Sequence, residues 1–201
     1  MLNDVGSMIE RKNTRGKIVV VSGPSGVGKS TICKEAVKHL KNTQLIVSVT
    51  TREKSDTEVD GVNYWFISGE EFQRRINAGL ILEYAEVFGN MYGTPRDEVV
   101  KALKAGKNVI LEIDVKGGRQ VKNIYNDAVM VFILPPTHKE LKQRLDSRGR
   151  DGFGTAKERL NGAGGEIAAA WQYYQYMVIN DILEQAVKEV VEIVQQNTGD
   201  K

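Results

Sequence analysis

Residues 17–30 constrain the fold more than any other stretch. A β-branched run, Lys17-Ile18-Val19-Val20-Val21-Ser22, opens directly into Gly23-Pro24-Ser25-Gly26-Val27-Gly28-Lys29-Ser30. The apolar run does not alternate with polar residues, so it predicts a strand buried on both faces, as in a parallel sheet. The run after it fits G-x-x-x-x-G-K-[ST]. Its glycines let the backbone turn tightly enough for several N–H groups to converge on one phosphate. The helix expected next adds its positive N-terminal end. On this reading Gly23, Pro24, Ser25, Gly26, Val27, Gly28, Lys29, Ser30 and Thr31 bind the phosphates of a nucleotide. Lys29 neutralises β- and γ-phosphate charge, and the Ser30 hydroxyl is a direct ligand for Mg²⁺, which prefers hard oxygens.

The rest of the chain repeats the strand–helix rhythm. Leu45–Val49, Asn108–Ile113, Ala128–Leu134 and Tyr176–Asn180 read as further strands. Helices are expected over Ser30–Leu40, Pro95–Ala105 (Thr94 as N-cap), Thr137–Arg148 and Ile182–Gln196. This alternation implies an α/β fold with a parallel sheet flanked by helices. Between Arg52 and Met91 the rhythm breaks. Strands at Tyr64–Ser68 and Ile81–Val87 enclose a helix near Glu70–Ala78, with the capping-box spacing Ser68…Glu71. This reads as an inserted mixed α/β lobe. Gly149–Gly154, polar and glycine-rich between two helices, reads as a mobile lid. The expected division is a flexible leader at 1–15, a core at 16–51 and 95–196 with a lid at about 149–165 within it, and a lobe at 52–94.

Composition narrows the partners. Lys+Arg number 28 against 26 Asp+Glu, a net charge of +2, too small for a general nucleic-acid footprint. The single cysteine, Cys33, excludes an internal disulfide framework. No apolar run approaches the ~20 residues of a membrane helix, and residues 1–15 carry no signal-peptide core. A cytoplasmic protein acting on small molecules, with no nucleic-acid or membrane partner, is expected.

Six segments then come in a telling order: Ser22–Thr31, Ser48-Val-Thr-Thr-Arg52, Glu58-Val-Asp-Gly-Val-Asn-Tyr64, Phe88-Gly-Asn-Met-Tyr-Gly-Thr94, Leu111-Glu-Ile-Asp114 and Val178-Ile-Asn-Asp181. Over roughly residues 16–196 the chain resembles the guanylate kinase family of P-loop nucleoside monophosphate kinases. The resemblance implies a P-loop core, a GMP-binding lobe and a lid. It also implies phosphoryl transfer from ATP, with Mg²⁺, to GMP, giving ADP and GDP in purine nucleotide metabolism and GMP recycling. By family position, Ser48, Arg52, Tyr64 and Tyr92 hold the GMP phosphate, and Glu83, Thr94 and Asp114 face the guanine. Arg144, Arg148 and Arg159 join Lys29 and Arg52 as the catalytic cations. Asn180 lies near the adenine, and Asp114 or Glu112 reaches the magnesium through water.

The chemistry of the bases agrees. Guanine presents N1–H and an amino group as adjacent donors, which a carboxylate, an acceptor only, can take as a pair. Four departures from the family pattern stand out, one of them Ile182 in place of the common second aspartate after Asn180-Asp181. Ser55 occupies the place of a second arginine, with Lys54 beside it as a substitute charge. Lys116 stands where glutamine is usual. Glycines at 162, 164 and 165 weaken an expected helix, each by about 1 kcal/mol relative to alanine. Two other readings are carried: a non-catalytic guanylate-kinase-like module that binds phosphopeptides, and a P-loop kinase acting on a phosphorylated sugar.

Overall fold

The computed structural model describes residues 15–147 and 156–200. Most of the expected leader and the first part of the expected lid, all of Gly149–Gly154 included, lie outside the described residues, as do Arg148 and Arg150. So does the side chain of Arg159. Along the chain the elements are β1 (Ile18–Ser22), α1 (Lys29–Lys38), β2 (Thr43–Leu45), β3 (Val49–Thr50), β4 (Trp65–Phe66), α2 (Gly69–Asn77), β5 (Ile81–Val87), β6 (Asn90–Pro95), α3 (Arg96–Lys104), β7 (Asn108–Glu112), α4 (Val115–Ile124), β8 (Val129–Leu134), α5 (His138–Ser147), α6 (Ala156–Tyr173), β9 (Tyr176–Ile179) and α7 (Leu183–Thr198).

The buried β1 run does what its lack of alternation predicts. Val19 and Val21 enter a core shared with Ile32, Cys33 and Ala36 of α1 and Val187, Val190 and Val194 of α7. Ile18 and Val20 enter a second core with Val99 and Leu103 of α3, Val121 of α4 and Tyr174 just beyond α6. Helices therefore cover both faces of a five-stranded, all-parallel sheet ordered β2-β7-β1-β8-β9. In such sheets ligands gather at the carboxyl ends of the strands, where the order reverses. That position here is the end of β1, and Gly23 begins there.

Leu45–Val49 was expected as one strand and is not. β2 ends at Leu45, paired with Ile110 of β7. Val49 starts β3 in a second sheet, ordered β4-β3-β6-β5. Residues 46–48 cross between the sheets. The apolar run is continuous because both ends are buried, and hydrophobicity does not say against which partner. In the second sheet Phe72 of α2 packs on Val49 and Ile81, and Ser68 caps α2 by accepting from the Glu71 N–H. β5 and β6 form an antiparallel hairpin closed by Phe88 and Gly89, both at positive φ (49° and 78°), as a two-residue type I′ turn requires.

Two other expectations need amendment, and one helix was not expected. Thr94 does not cap α3, whose N-cap position is Pro95 with no side-chain bond. The hydroxyl of Thr94 donates instead to Glu83. The segment with glycines at 162, 164 and 165 is an unbroken part of α6. Helix α4, which Gly117 and Gly118 concealed from the periodicity, is present. Among the described residues, no helix is long and apolar enough to cross a membrane.

Candidate active site

The loop after β1 turns through Gly23, Gly26 and Gly28, all at positive φ (153°, 83° and 101°), a region side chains with a Cβ rarely adopt. Asn180 packs behind it, donating to the Val27 carbonyl at 2.7 Å. A Cβ at Gly28 would lie 2.5 Å from that amide nitrogen. Lys29 Nζ donates to the Gly23 and Pro24 carbonyls at 2.6 and 3.1 Å, which folds the ammonium back over the loop. Ser30 Oγ donates to Glu112 Oε1 at 2.5 Å. Arg144 reaches from α5 to the Asn180 carbonyl at 3.1 Å and pairs with Glu140.

The Ser30–Glu112 pair tests the expected magnesium. A hydroxyl and a carboxylate side by side are hard oxygen donors of the kind Mg²⁺ selects. Among the described residues no three His, Cys, Asp or Glu side chains converge. Nucleotide oxygens and water would therefore have to complete the shell of such an ion, as is usual for magnesium at phosphates. Of the two acids proposed for a water-mediated contact, Glu112 is the one against Ser30. Asp114 caps α4, accepting from the Gly117 N–H at 2.7 Å.

A cavity of about 370 Å³ runs from this loop to the second sheet. Gly23, Ser25, Gly26, Gly28, Lys29 and Ser30 wall one end, and Ser48, Arg52, Tyr64, Glu83, Tyr92 and Asp114 the other. Glu83 enters because β5 slips register against β6 between Ile81 and Tyr84. Such an irregularity re-aims side chains, and Ile81, Leu82 and Glu83 are all buried in succession. Thr94 donates to Glu83 Oε1 at 2.6 Å from behind. Gly117 passes so close that a Cβ there would lie 2.1 Å from Glu83 Oε2. Burial, opposed by the Thr94 hydrogen bond and aided by the neighbouring Asp114 charge, raises this carboxyl to about 7.

Arg52 is held by Glu58 in a two-pronged pair of 2.6 and 2.9 Å, with its guanidinium over the rings of Tyr64 and Phe66. Ser55 gives Glu58 two more bonds, from its N–H and its hydroxyl. Burial pushes the Glu58 carboxyl up, but Arg52 and Ser55 together outweigh it and hold it at about 2. Lys54, the expected substitute charge, donates to the Glu58 backbone carbonyl at 3.2 Å.

Comparison with known proteins follows the same outline. The guanylate kinase family model matches residues 15–197. A guanylate kinase of Clostridium perfringens is 48% identical over 183 residues, covering 91% of this chain and 84% of that protein. One from Carboxydothermus hydrogenoformans is 48% identical over 176 residues, covering 88% and 86%. The crystal structure of guanylate kinase from Anaplasma phagocytophilum superposes with a TM-score of 0.78 at 32% identity, covering 92% of this chain and 87% of that one. The chain belongs to the guanylate kinase family.

Within this chain the expected residues divide by position. Six of the seven expected at the acceptor share the cavity wall, while Thr94 sits one layer behind Glu83. Asn180 turns its amide to the loop backbone. Three charged residues on the wall were given no role from sequence: Lys34, Glu58 (named only within a family segment) and Glu166. Burial raises the Glu166 carboxyl, with the Lys29 charge opposing. The available signals were spacings. Lys34 is four residues after Ser30, and Glu166 is seven after Arg159, each one helical face away from an expected site residue.

Proposed function

We propose that this chain transfers the γ-phosphoryl group of ATP to GMP, with the residues of the shared cavity in the roles the family implies. One observation carries the reading: a buried, re-aimed carboxylate, Glu83, and the phosphate loop with Lys29 open on the same cavity. Nothing in the comparisons favours a phosphopeptide-binding module or a sugar-phosphate kinase.

ATP lies with its phosphates in the loop, where the converging N–H groups and the α1 N-terminus hold the charge. Lys29 exchanges its two carbonyl bonds for phosphate oxygens. Ser30 and Glu112 are the residues that would hold Mg²⁺, which would supply neutralisation of phosphate charge. Core and lobe, divided near 52 and 94, bring the acceptor from the second sheet. Ionised Glu83 accepts from guanine N1–H and the amino group, with Asp114 beside it. Adenine, lacking the N1 proton, would leave that carboxylate facing a lone pair. Polar matching of this kind rejects a wrong base by about 10⁴–10⁵. Ser48, Arg52, Tyr64 and Tyr92 orient the GMP phosphate in line with the γ-phosphorus. That phosphate is already largely ionised near neutral pH, so no strong general base is needed. The work is positioning and charge neutralisation, to which Arg144, Arg148 and Arg159 add on lid closure, which also excludes water.

The test is an acceptor screen. With ATP and magnesium, ADP release is expected with GMP and near background with AMP, UMP or no acceptor. No stimulation by GMP would end the reading.

A further inference from the structure

The acceptor end of the cavity is short of positive charge. GMP brings a phosphate close to two negative charges, as phosphomonoesters carry at pH 7. Arg52 meets it already neutralised by Glu58 in a two-pronged pair. Ser55, in the place of a second arginine, adds no charge and strengthens Glu58. Lys54 spends its ammonium on a backbone carbonyl and is no part of the cavity wall.

Three cations line the cavity: Lys29 is held on the phosphate-loop carbonyls and Arg52 is paired with Glu58, which leaves Lys34. It stands on α1 four residues after Ser30, so both side chains leave the same helix face. It shares the cavity wall with Leu45, Val47, Ser48 and Arg52. Among the described residues its ammonium has no hydrogen-bond or ion-pair partner. A flexible four-carbon stem lets a compact ammonium follow a phosphate without fixed geometry.

We propose that Lys34 binds the acceptor phosphate of GMP beside Ser48 and Arg52, supplying the positive charge that Ser55 leaves out. The inference rests on the GMP kinase reading above. An ammonium that tracks the phosphate through the reaction binds ground state and transition state alike, so it lowers KM for GMP and leaves kcat nearly unchanged.

Calorimetric titration with GMP, guanosine and ADP tests this on the intact protein, Lys34→Ala, Lys34→Arg and the double variant Lys34→Ala/Ser55→Arg. Lys34→Ala is expected to weaken GMP about tenfold, the scale of one charged hydrogen bond, with guanosine and ADP unchanged. Lys34→Arg is expected to retain most of the GMP affinity, and the double variant to regain it. Steady-state kinetics should show the loss in KM for GMP. Unchanged GMP affinity in Lys34→Ala would overturn the proposal. So would an equal loss for ADP, which would move the lysine to the donor side, or for guanosine, which would make its role structural. An intact protein that binds no GMP would overturn the kinase reading itself.

Discussion

Glu83, proposed above to face guanine, shows how surroundings set the chemistry of one side chain. On an exposed strand it would be ionised throughout the neutral range. Here burial raises its carboxyl to about 7, while guanine requires the ionised form as an acceptor. Guanosine affinity is therefore expected to rise with pH, about tenfold per unit below 7, and to level off above it. Guanosine is the probe because it carries no titrating phosphate. The stability sign is opposite. Between about 4.5 and 7 the folded state binds more protons than the unfolded, so this group's contribution declines as pH rises, by roughly 3 kcal/mol at most. Glu83→Gln should flatten the guanosine profile and gain stability relative to the parent at pH 8 compared with pH 5. Parallel pH profiles for the two proteins would show that Glu83 does not titrate there. The acidic character of residue 83 is readable in the sequence. Its inward aim is not, because the register slip beside it and the Gly117 approach behind it come from β6 and α4.

At the scale of elements, α6 is the least economical helix in the molecule. Gly162, Gly164 and Gly165 lie in its interior, and a Cβ at any of them would meet nothing within 4 Å. Packing therefore does not require these glycines. Each replacement by alanine is expected to stabilise the fold by about 0.5–1 kcal/mol through helix propensity and reduced unfolded-state freedom. Urea unfolding of Gly164→Ala and Gly165→Ala checks this, and a loss of stability would reveal a contact the helix makes in another state. The glycine count made the segment look weak, but propensity is a small term beside tertiary burial. Ala163 and Ala170 are buried against Leu145 and Tyr174 respectively, and that outweighs it. The Leu45–Val49 run erred in the other direction. One apolar stretch serves two sheets, and only the partners β7 and β6 say where it divides.

At the scale of the whole molecule, one buried carboxylate ties segments far apart in sequence. Asp200 is buried and accepts from the Lys41 and Asn42 N–H groups and from the Thr43 hydroxyl. The segment after α7 is thus tied to the turn between α1 and β2, the edge strand of the core sheet. Asp200→Ala leaves the buried Thr43 hydroxyl and the part-buried Lys41 and Asn42 N–H groups without this partner. A loss of about 2–3 kcal/mol is expected from unmaking charged hydrogen bonds, read as a lower thermal midpoint with KM for GMP unchanged. A variant as stable as the parent would mean that water replaces the carboxylate fully.

What the sequence determined by itself is local or periodic. The unbroken β-branched run dictates a doubly buried strand. Three glycines ahead of Lys29 dictate a turn whose backbone points inward, and Ser68 and Thr137 mark where helices begin. Such features depend on a residue and its near neighbours, so they survive without knowledge of the fold. Tertiary structure decided the rest. It set Glu112 rather than Asp114 against Ser30, took Thr94 from a helix cap to a carboxylate, and spent Lys54 on a backbone carbonyl while leaving Lys34 on the cavity wall. Each of those outcomes is a choice among several partners of similar chemistry. Hydrogen bonds and charges reach only a few ångströms, so the choice is made by whichever partner the packing of distant segments brings within reach.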